Sequence, residues 1–405
     1  MRVLLLLPTA TYRAPDFVTA AAALGVEVVV GSEEAQAMAA AMGDRALVVP
    51  LADPTAAADA VAALHQRSPV AGIVAVDEQG VVAAATAAAR IGLRHNPPAA
   101  VAATRDKAAM RVAMEGAGLV QPRHRLVRAG DDPVAAAEEV GLPCVVKATS
   151  LSGSRGVIRA DTADEVPGVV ERVRSIAAEA GAPGDAPVVV EAFVPGVEVA
   201  VEALLRSGEL HVLATFDKPD PLDGPYFEET IYVTPSRHPT ATVDRLHETV
   251  ARATAAIGLV EGPIHAEARL TPQGDVVVLE VAARSIGGLC ARTLRFGAGI
   301  SLEEVILRHA LDLPLEDLRR ETSAAGVLMV PIPRSGTLVR VGGVEEAAAV
   351  PGVVGVEITV LAGRPVRALP EGDRYVGFVF ARGTHAAQVE VSLRAAQAAL
   401  DVVVS

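Results

Sequence analysis

Between residues 262 and 288, polar and apolar residues alternate in a way that predicts a β-hairpin. Two runs of strand-like composition, Ile264–Leu270 and Val276–Ala282, flank a segment of turn-favouring residues at 271–275. Since side chains alternate between the two faces of a strand, the first strand has one apolar face and one unusually polar face. We therefore expect functional side chains on the polar face.

The polar face of this hairpin brings two carboxylates together. His265, Glu267 and Arg269 share it on the first strand, and a turn near residue 273 places Glu280 of the second strand roughly opposite Glu267. On the second strand the alternation groups Glu280 with three residues: Val276, Val278 and Ala282. Facing carboxylates destabilise a hairpin unless a cation lies between them, and oxygen ligands suit Mg²⁺ or Mn²⁺. The pair predicts a metal site, and a solvated face with scattered charges is the alternative that the pair alone leaves open.

Residues just beyond the hairpin favour the metal site. Arg284 follows the second strand and precedes Gly287 and Gly288, and glycines let a backbone approach a ligand closely. Carboxylates, a metal and an arginine together are typical of phosphoryl chemistry.

Upstream, the pattern predicts a parallel sheet followed by α+β units. Short Val- and Leu-rich runs at 2–7, 26–30, 46–49 and 72–76 are separated by Ala-rich helical stretches, which indicates parallel strands with crossover helices. No Gly-x-Gly-x-x-Gly motif follows the first strand, so a dinucleotide site is disfavoured. The acids at 77–78, after the fourth strand, are either ligand contacts or exposed loop residues.

A second candidate site lies between residues 144 and 156. The apolar strand Cys144–Lys147 ends in a lysine that needs a partner when buried, and a phosphate is one candidate. Ser152, Gly153, Ser154 and Gly156 then form a small-residue loop whose backbone donors can surround a phosphate, or else an ordinary turn. It is not a P-loop, because the order of that motif is missing.

Composition excludes several classes of function. The 405 residues carry a net charge of −13 with no basic tract and 3% aromatic residues, so nucleic acid is not an expected partner. No run is long enough to span a bilayer, and the apolar start at residues 3–7 lacks the features of a signal peptide. Cys144 and Cys290, far apart and without metal-ligand spacing, suit a reducing cytoplasm, where we expect the protein.

Taken in order, these features resemble the ATP-grasp superfamily of carboxylate–amine ligases. The ordered set is Lys107, Lys147, the loop at 152–156, Glu191 to Glu198, Glu267, Glu280 and Arg284. The C-terminal block, with its segments at 331–336 and 371–378, resembles the last domain of bacterial L-amino acid ligases. The resemblance implies an α/β and α+β multidomain fold: an N-terminal parallel α/β domain (1–95), two ATP-grasp subdomains (96–187 and 188–312), and a C-terminal α+β domain (313–405).

The resemblance also implies a role for each site residue. Lys107 and Lys147 would bind the phosphates of ATP, and the loop containing Ser152, Gly153, Ser154 and Gly156 would close over them. Glu191, Phe193 and Val194 would line the adenine, and Glu198 would hold the ribose hydroxyls. Glu267 and Glu280 would hold Mg²⁺ or Mn²⁺. Arg284 would contact the transferred phosphoryl group and the substrate carboxylate. His265 would lie beside the amino acid as a candidate base or a binding residue.

The implied reaction is ADP-forming synthesis of a dipeptide or related amide through an acyl phosphate, with amino acid and amine substrates. The resemblance is also compatible with a homodimer. Many ATP-grasp enzymes have an asparagine two residues after the second metal glutamate, where this chain has Ala282. Two alternatives therefore stay open: a ligase for another carboxylate or amine, and a nucleotide-binding protein without turnover.

Overall fold

The N-terminal unit is a four-stranded parallel sheet with helices on its faces. The computed structural model describes residues 1–37, 39–297, 299–315 and 317–405. All pairings in this first sheet are parallel, in the order β3-β2-β1-β4, as the Val- and Ala-rich pattern predicts. Its elements are β1 (Arg2–Leu6), α1 (Ala14–Ala23), β2 (Glu27–Ser32), α2 (Ala39–Met42), a 3₁₀ turn (Gly43–Arg45), β3 (Ala46–Val48), α3 (Pro54–Arg67), β4 (Gly72–Ala75), a 3₁₀ turn (Glu78–Gly80) and α4 (Val81–Ile91).

The next unit is an antiparallel sheet in the order β5-β8-β6-β7, covered by helices whose first turns are capped by Asp106 and Asp132. Its elements are α5 (Pro98–Thr104), α6 (Lys107–Gly116), β5 (His124–Val127), α7 (Pro133–Val140), β6 (Cys144–Ala148), β7 (Val157–Ala160), a 3₁₀ turn (Ala163–Glu165), α8 (Val166–Glu179) and β8 (Val188–Ala192). The domain boundary predicted after residue 187 lies just before β8, and β8 pairs with β5 and β6 of this sheet.

The third unit contains the predicted hairpin, which is formed by β12 and β13. Ser301 caps the last helix of the unit by accepting a hydrogen bond from the backbone of Glu304 at 3.1 Å. The elements are β9 (Val197–Arg206), β10 (Glu209–Asp217), β11 (Ile231–Thr234), α9 (Thr240–Ile257), β12 (Gly262–Leu270), β13 (Val276–Ala282), a 3₁₀ turn (Cys290–Thr293), β14 (Arg295–Phe296), β15 (Ile300–Ser301) and α10 (Leu302–Ala310).

The C-terminal block divides its strands between the sheet of the third unit and a separate three-stranded sheet of its own. The eight-stranded sheet has the order β13-β12-β9-β10-β11-β16-β20-β18, so the domain predicted at 313–405 contributes three of its strands. The pairing of β11 with β16 makes the connection. The elements are β16 (Ala324–Val330), β17 (Gly336–Gly342), α11 (Val344–Ala348), β18 (Val353–Ile358), β19 (Pro365–Val366), β20 (Gly377–Gly383), α12 (Ala386–Ala399) and β21 (Asp401–Val404).

One apolar core joins the first, third and last units. Phe17 of α1, Phe216 of β10 and Phe378 of β20 belong to the same buried cluster and are almost fully inaccessible. Burial of each such ring contributes about 1.5–3 kcal/mol, so the contact between the units is part of the folding energy. Among the described residues, no helix has both the length and the apolar character that a membrane crossing requires.

Candidate functional site

A cavity of about 570 Å³ lies where the four units meet. It is bordered by the end of β4, the loop after β6, the polar face of the hairpin and the segment before β20. Among the predicted site residues the structure places all but Gly156 on its wall: Lys107, Lys147, Ser152, Gly153, Ser154, Glu191, Phe193, Val194, Glu198, His265, Glu267, Glu280 and Arg284. A single cavity therefore collects residues that span almost 180 positions of the chain.

The hairpin presents Glu267 and Glu280 as a directly paired couple across β12 and β13, as predicted. A β-bulge between Glu267 and Ala268 produces this register, because the regular ladder from the turn would have placed Leu279 opposite Glu267. The bulge also reverses the faces of the second strand. Val276 and Val278, predicted on the polar face, instead pack into the core, so that part of the prediction is wrong.

Arg111 of α6 holds the bulge and was not identified from the sequence. Its guanidinium is fully buried and donates to the carbonyl oxygens of Val278 (3.3 Å) and Leu279 (2.6 Å). Its Nε donates to Glu191 at 2.6 Å. A buried arginine with three acceptors is a rigid connection, so α6 positions the hairpin relative to β8. The sequence offered no signal for it beyond a charged residue on a helix.

Two predicted lysines reach the cavity from opposite sides. Lys107, at the start of α6, donates to the carbonyl oxygen of Leu151 at 2.6 Å and lies 3.3 Å from Glu280. Lys147 pairs with Glu191 at 2.7 Å, which supplies the partner that a lysine at the end of a buried strand requires. Burial opposes ionisation of Glu191, but Arg111 and Lys147 outweigh it and hold the pKa of that carboxyl well below its usual range.

The loop after β6 turns its small residues toward the cavity. Gly153, Ser154 and Gly156 have φ values of 64°, 58° and 64°, a left-handed conformation that glycine adopts without strain. Gly156 faces away from the cavity: a Cβ there would meet Leu151 at 3.3 Å. Its N–H donates to the carbonyl oxygen of Pro370 at 2.9 Å, so the C-terminal block anchors the end of the loop.

An aromatic wall follows β8. Phe193 stacks on Phe227 with ring centroids 6.5 Å apart, and the guanidinium groups of Arg159 and Arg269 lie 4.5 and 5.0 Å from its centroid. The carbonyl oxygen of Val194 accepts a hydrogen bond from Arg269 at 3.0 Å. This arrangement gives the cavity a flat, rigid end that suits a planar ligand.

A cluster of three carboxylates surrounds one lysine. Oxygens of Glu198, Glu229 and Glu267 lie within 4.8 Å of one another, and the ammonium of Lys218 contacts all three. The pair predicted to bind metal was Glu267 with Glu280, so Glu229 and Lys218 are additional site residues. Burial raises the pKa of Glu229, Lys218 opposes the shift, and the neighbouring Glu267 adds to it, with a result of about 7.

His265 lies between two carboxylates on the polar face. Its Nδ1 is 3.1 Å from the fully buried Glu202, whose same oxygen accepts from the backbone of Ile286 at 2.9 Å, and its Nε2 is 3.7 Å from Glu267. Burial alone would lower the pKa of His265, but hydrogen bonds to Glu202 and Glu267 outweigh it and raise the pKa to about 9. An imidazolium is a poor base, so this geometry favours the binding role over the base.

Arg284 completes the site beside the first sheet. Its Nε donates to Glu78 at 2.5 Å, and Arg105 approaches the other oxygen of Glu78 at 3.1 Å. Burial opposes ionisation of Glu78, but Arg284 and then Arg105 outweigh it and lower the pKa. Asp77 and Glu78, for which a loop position and a ligand contact were both open, line the cavity.

Three family models match separate parts of the chain. An ATP-grasp N-terminal domain matches residues 18–95, an ATP-grasp domain matches residues 140–293, and an L-amino acid ligase C-terminal domain 2 matches residues 328–405. These matches fall on the first sheet, the sheets that hold the cavity, and the C-terminal block, in the order that the sequence predicts.

Known ligases are similar to this chain in sequence and in structure. Alanine–anticapsin ligase of Bacillus subtilis is 28% identical over 260 residues, which are 59% of this chain and 54% of the relative. The chain spans about half the length of the curated relatives it matches first. The crystal structure of an L-amino acid ligase from Bacillus licheniformis aligns with a TM-score of 0.79 and 25% identity over 99% of this chain and 98% of that one. The crystal structure of N5-carboxyaminoimidazole ribonucleotide synthetase from Thermotoga maritima shares the fold. It aligns over 100% of both chains with a TM-score of 0.73 and 19% identity.

Proposed function

This chain is an ATP-grasp protein with the C-terminal domain of L-amino acid ligases, and from that premise we propose that it is an ATP-dependent ligase joining the carboxylate of an amino acid to an amine. The observation that carries the proposal is the pairing of Glu267 and Glu280 across the hairpin, inside a cavity that also receives Lys107, Lys147 and Arg284. Paired carboxylates with converging cations are the equipment for phosphoryl transfer.

The donor set on the hairpin fits a divalent ion. Glu267 and Glu280 offer hard oxygen ligands from adjacent strands, and the bulge aims both at the cavity. They would hold Mg²⁺ or Mn²⁺, and Ala282, 3% exposed, contributes no ligand atom beside them. The bound ion would supply positive charge against the phosphates as charge develops on the transferred group.

The remaining residues divide between the nucleotide and its phosphates. Phe193 and Val194 form the flat end of the cavity, which suits adenine, and Glu198 lies beside it for the ribose hydroxyls. Lys107 and Lys147 would contact phosphate oxygens. The loop at 152–156 would shield them from water, and the backbone N–H groups of Gly153 and Ser154, which line the cavity, would serve as donors to phosphate.

The chemistry follows from the poor reactivity of a carboxylate. Phosphoryl transfer from ATP to a carboxylate oxygen releases ADP and forms an acyl phosphate, and attack by the amine nitrogen on the acyl carbon then expels phosphate to leave an amide. Arg284, held by Glu78, would stabilise negative charge on the transferred group and orient the carboxylate. His265, held by Glu202, would contact the amino acid substrate.

The substrate would meet an apolar patch of the cavity wall. Tyr12 of the first unit, Ile286, Cys290, Met329 of β16 and Tyr375 of the C-terminal block line it. Cys290 comes from the 3₁₀ turn that follows the hairpin. An apolar wall assembled from three units favours an amino acid with an apolar side chain.

Phosphate release tests the proposal. The chain is incubated with Mg·ATP and proteinogenic amino acids, singly and in pairs, and Glu280→Gln is compared with wild type. Asp275→Asn, an exposed carboxylate at the tip of the same hairpin, is the matched control. We expect release that depends on a pair of amino acids, is abolished in Glu280→Gln and persists in the control. Intact ATP binding without release in any mixture would refute amino acid ligation.

A further inference from the structure

Lysine is rare in this chain, and every lysine contacts a glutamate of the cavity wall. Of the 36 lysine and arginine residues, three are lysine: Lys107, Lys147 and Lys218. Each has its ammonium within 3.3 Å of a glutamate that lines the cavity. Arginine carries every other basic side chain, including all the surface ones. The compact ammonium is therefore confined in this chain to these carboxylate contacts.

Lys218 has the most enclosed ammonium of the three. Its side chain is 3% exposed, and Nζ donates to Glu198 at 2.7 Å, to Glu267 at 2.8 Å and to Glu229. An ammonium has three donors, so these contacts use all of them. The ring of Tyr232 closes the remaining side, with its centroid 4.9 Å from Nζ.

Among groups of three or more acidic, histidine or cysteine side chains in the described residues, these three glutamates are the one set whose ligand atoms lie close enough together to hold a metal ion. A divalent ion would have to stand among these oxygens at about 2.0–2.6 Å, where Nζ of Lys218 already lies. Repulsion between the two cations excludes occupancy by both. The contacts of Lys218 and Tyr232 both fall on Oε1 of Glu267, which leaves its second oxygen for another partner.

We propose that Lys218 is a positioning residue whose ammonium takes the place of a metal ion among Glu198, Glu229 and Glu267, and so confines metal binding to the side of Glu267 and Glu280. The hairpin would then bind fewer metal ions than its carboxylate groups could hold without Lys218. Ala282 supplies no metal ligand, and this agrees with the arrangement. The fixed ammonium of Lys218 supplies positive charge, whereas a second metal ion would need a complete set of ligands. The inference rests on the proposed function only in placing a metal at Glu267 and Glu280.

Counting bound Mn²⁺ tests the inference without turnover. Electron paramagnetic resonance measures free and bound Mn²⁺ at saturating non-hydrolysable ATP analogue for wild type, Lys218→Met and Lys218→Arg. Methionine keeps the length of the side chain and removes its charge, so we expect Lys218→Met to bind one more Mn²⁺ per chain than wild type. Lys218→Arg, which keeps the charge, should match wild type. An equal count in folded Lys218→Met and wild type overturns the inference.

A second measurement keeps Lys218 in place and covers the case in which Lys218→Met fails to fold. Lysine labelled with ¹³C at Cε yields three side-chain resonances, and the one lost in Lys218→Arg belongs to Lys218. We expect that resonance to stay in place when Mg²⁺ alone is titrated into chains that also carry Glu280→Gln, which breaks the neighbouring metal pair. A saturable shift would show that Mg²⁺ enters the cluster, and the inference would be overturned. Neither readout requires product formation, so a failure of ligase activity leaves both results valid.

Discussion

Replacing Arg111 with lysine tests whether a buried guanidinium maintains the register of the hairpin formed by β12 and β13. Arginine at this position reaches Glu191 and the carbonyl oxygens of Val278 and Leu279 simultaneously. A lysine can keep the charge near Glu191, but a single ammonium does not reach all three acceptors. The two carbonyl groups at the bulge would then be buried without a donor.

The magnitude follows from those two hydrogen bonds. One is short at 2.6 Å and the other long at 3.3 Å, and both are to a charged donor. Their loss costs about 2–3 kcal/mol together. This is the upper part of the range for a single charge-assisted bond, because the 3.3 Å bond adds little to the 2.6 Å bond. Local opening of β13 then becomes about 30- to 150-fold more frequent. Arg111→Met would add the cost of leaving Glu191 with Lys147 alone, about 3–5 kcal/mol for a broken buried pair.

Hydrogen exchange followed by mass spectrometry reads this opening directly. Peptides covering 276–282 should exchange about 30- to 150-fold faster in Arg111→Lys, whereas peptides from the first sheet should not change. Arg252→Lys is the matched control, since Arg252 is exposed on α9 and makes one contact at 3.5 Å to the carbonyl oxygen of Ala117. Acceleration below about threefold in Arg111→Lys would refute the role assigned to this side chain.

Three further changes probe other parts of the molecule. Lys147→Met should weaken binding of an ATP analogue about 10- to 100-fold in a calorimetric titration, while the fold persists because Glu191 keeps Arg111. Asn96→Ala removes the acceptor for two backbone N–H groups and a donor to the carbonyl oxygen of Glu261, and should cost about 2–4 kcal/mol in urea unfolding. Burial lowers the pKa of His95 from 6.5 to about 4. The unfolded chain therefore binds that proton first, and stability should fall as pH drops from about 6.5 to 4, by at most about 3 kcal/mol.

Each of these has an outcome that contradicts it. Unchanged nucleotide affinity in Lys147→Met would remove the lysine from the phosphate site. A cost below about 0.5 kcal/mol for Asn96→Ala would mean that water replaces its bonds. For His95, the matched variant His95→Gln should flatten the pH dependence, and an identical slope in both chains would assign the acid sensitivity to other groups.

The hairpin shows which structural features a local sequence pattern can predict. Alternation and turn composition predicted both strands and the meeting of Glu267 with Glu280, because these follow from periodicity along a continuous segment. The extra residue at the bulge was not predictable, since it depends on Arg111, more than 160 positions away in sequence. The error on Val276 and Val278 has the same cause, because one inserted residue exchanges the faces of a strand.

The sheet that a given segment joins depends on the same kind of distant contact. The parallel first sheet follows from strands that alternate with helices, and the parallel pairing of its strands is confirmed. The assignment of β8 and of β16 to a sheet depends on pairing between distant segments, and the sequence of either strand is compatible with both neighbours. Sheets that continue across a boundary leave no change in composition at that boundary.

The counterions of the site mark the limit of prediction from sequence. A buried carboxylate requires a positive partner, so the acidic strand faces predicted that cations would be present. They did not specify which cations, because Lys218 reaches its cluster from the loop after β10 and Arg105 reaches Glu78 from the end of α5. Such loop residues follow no periodic pattern. What the sequence did contain was a compositional signal, three lysines in 405 residues, and the structure shows that all three face the carboxylates of one cavity.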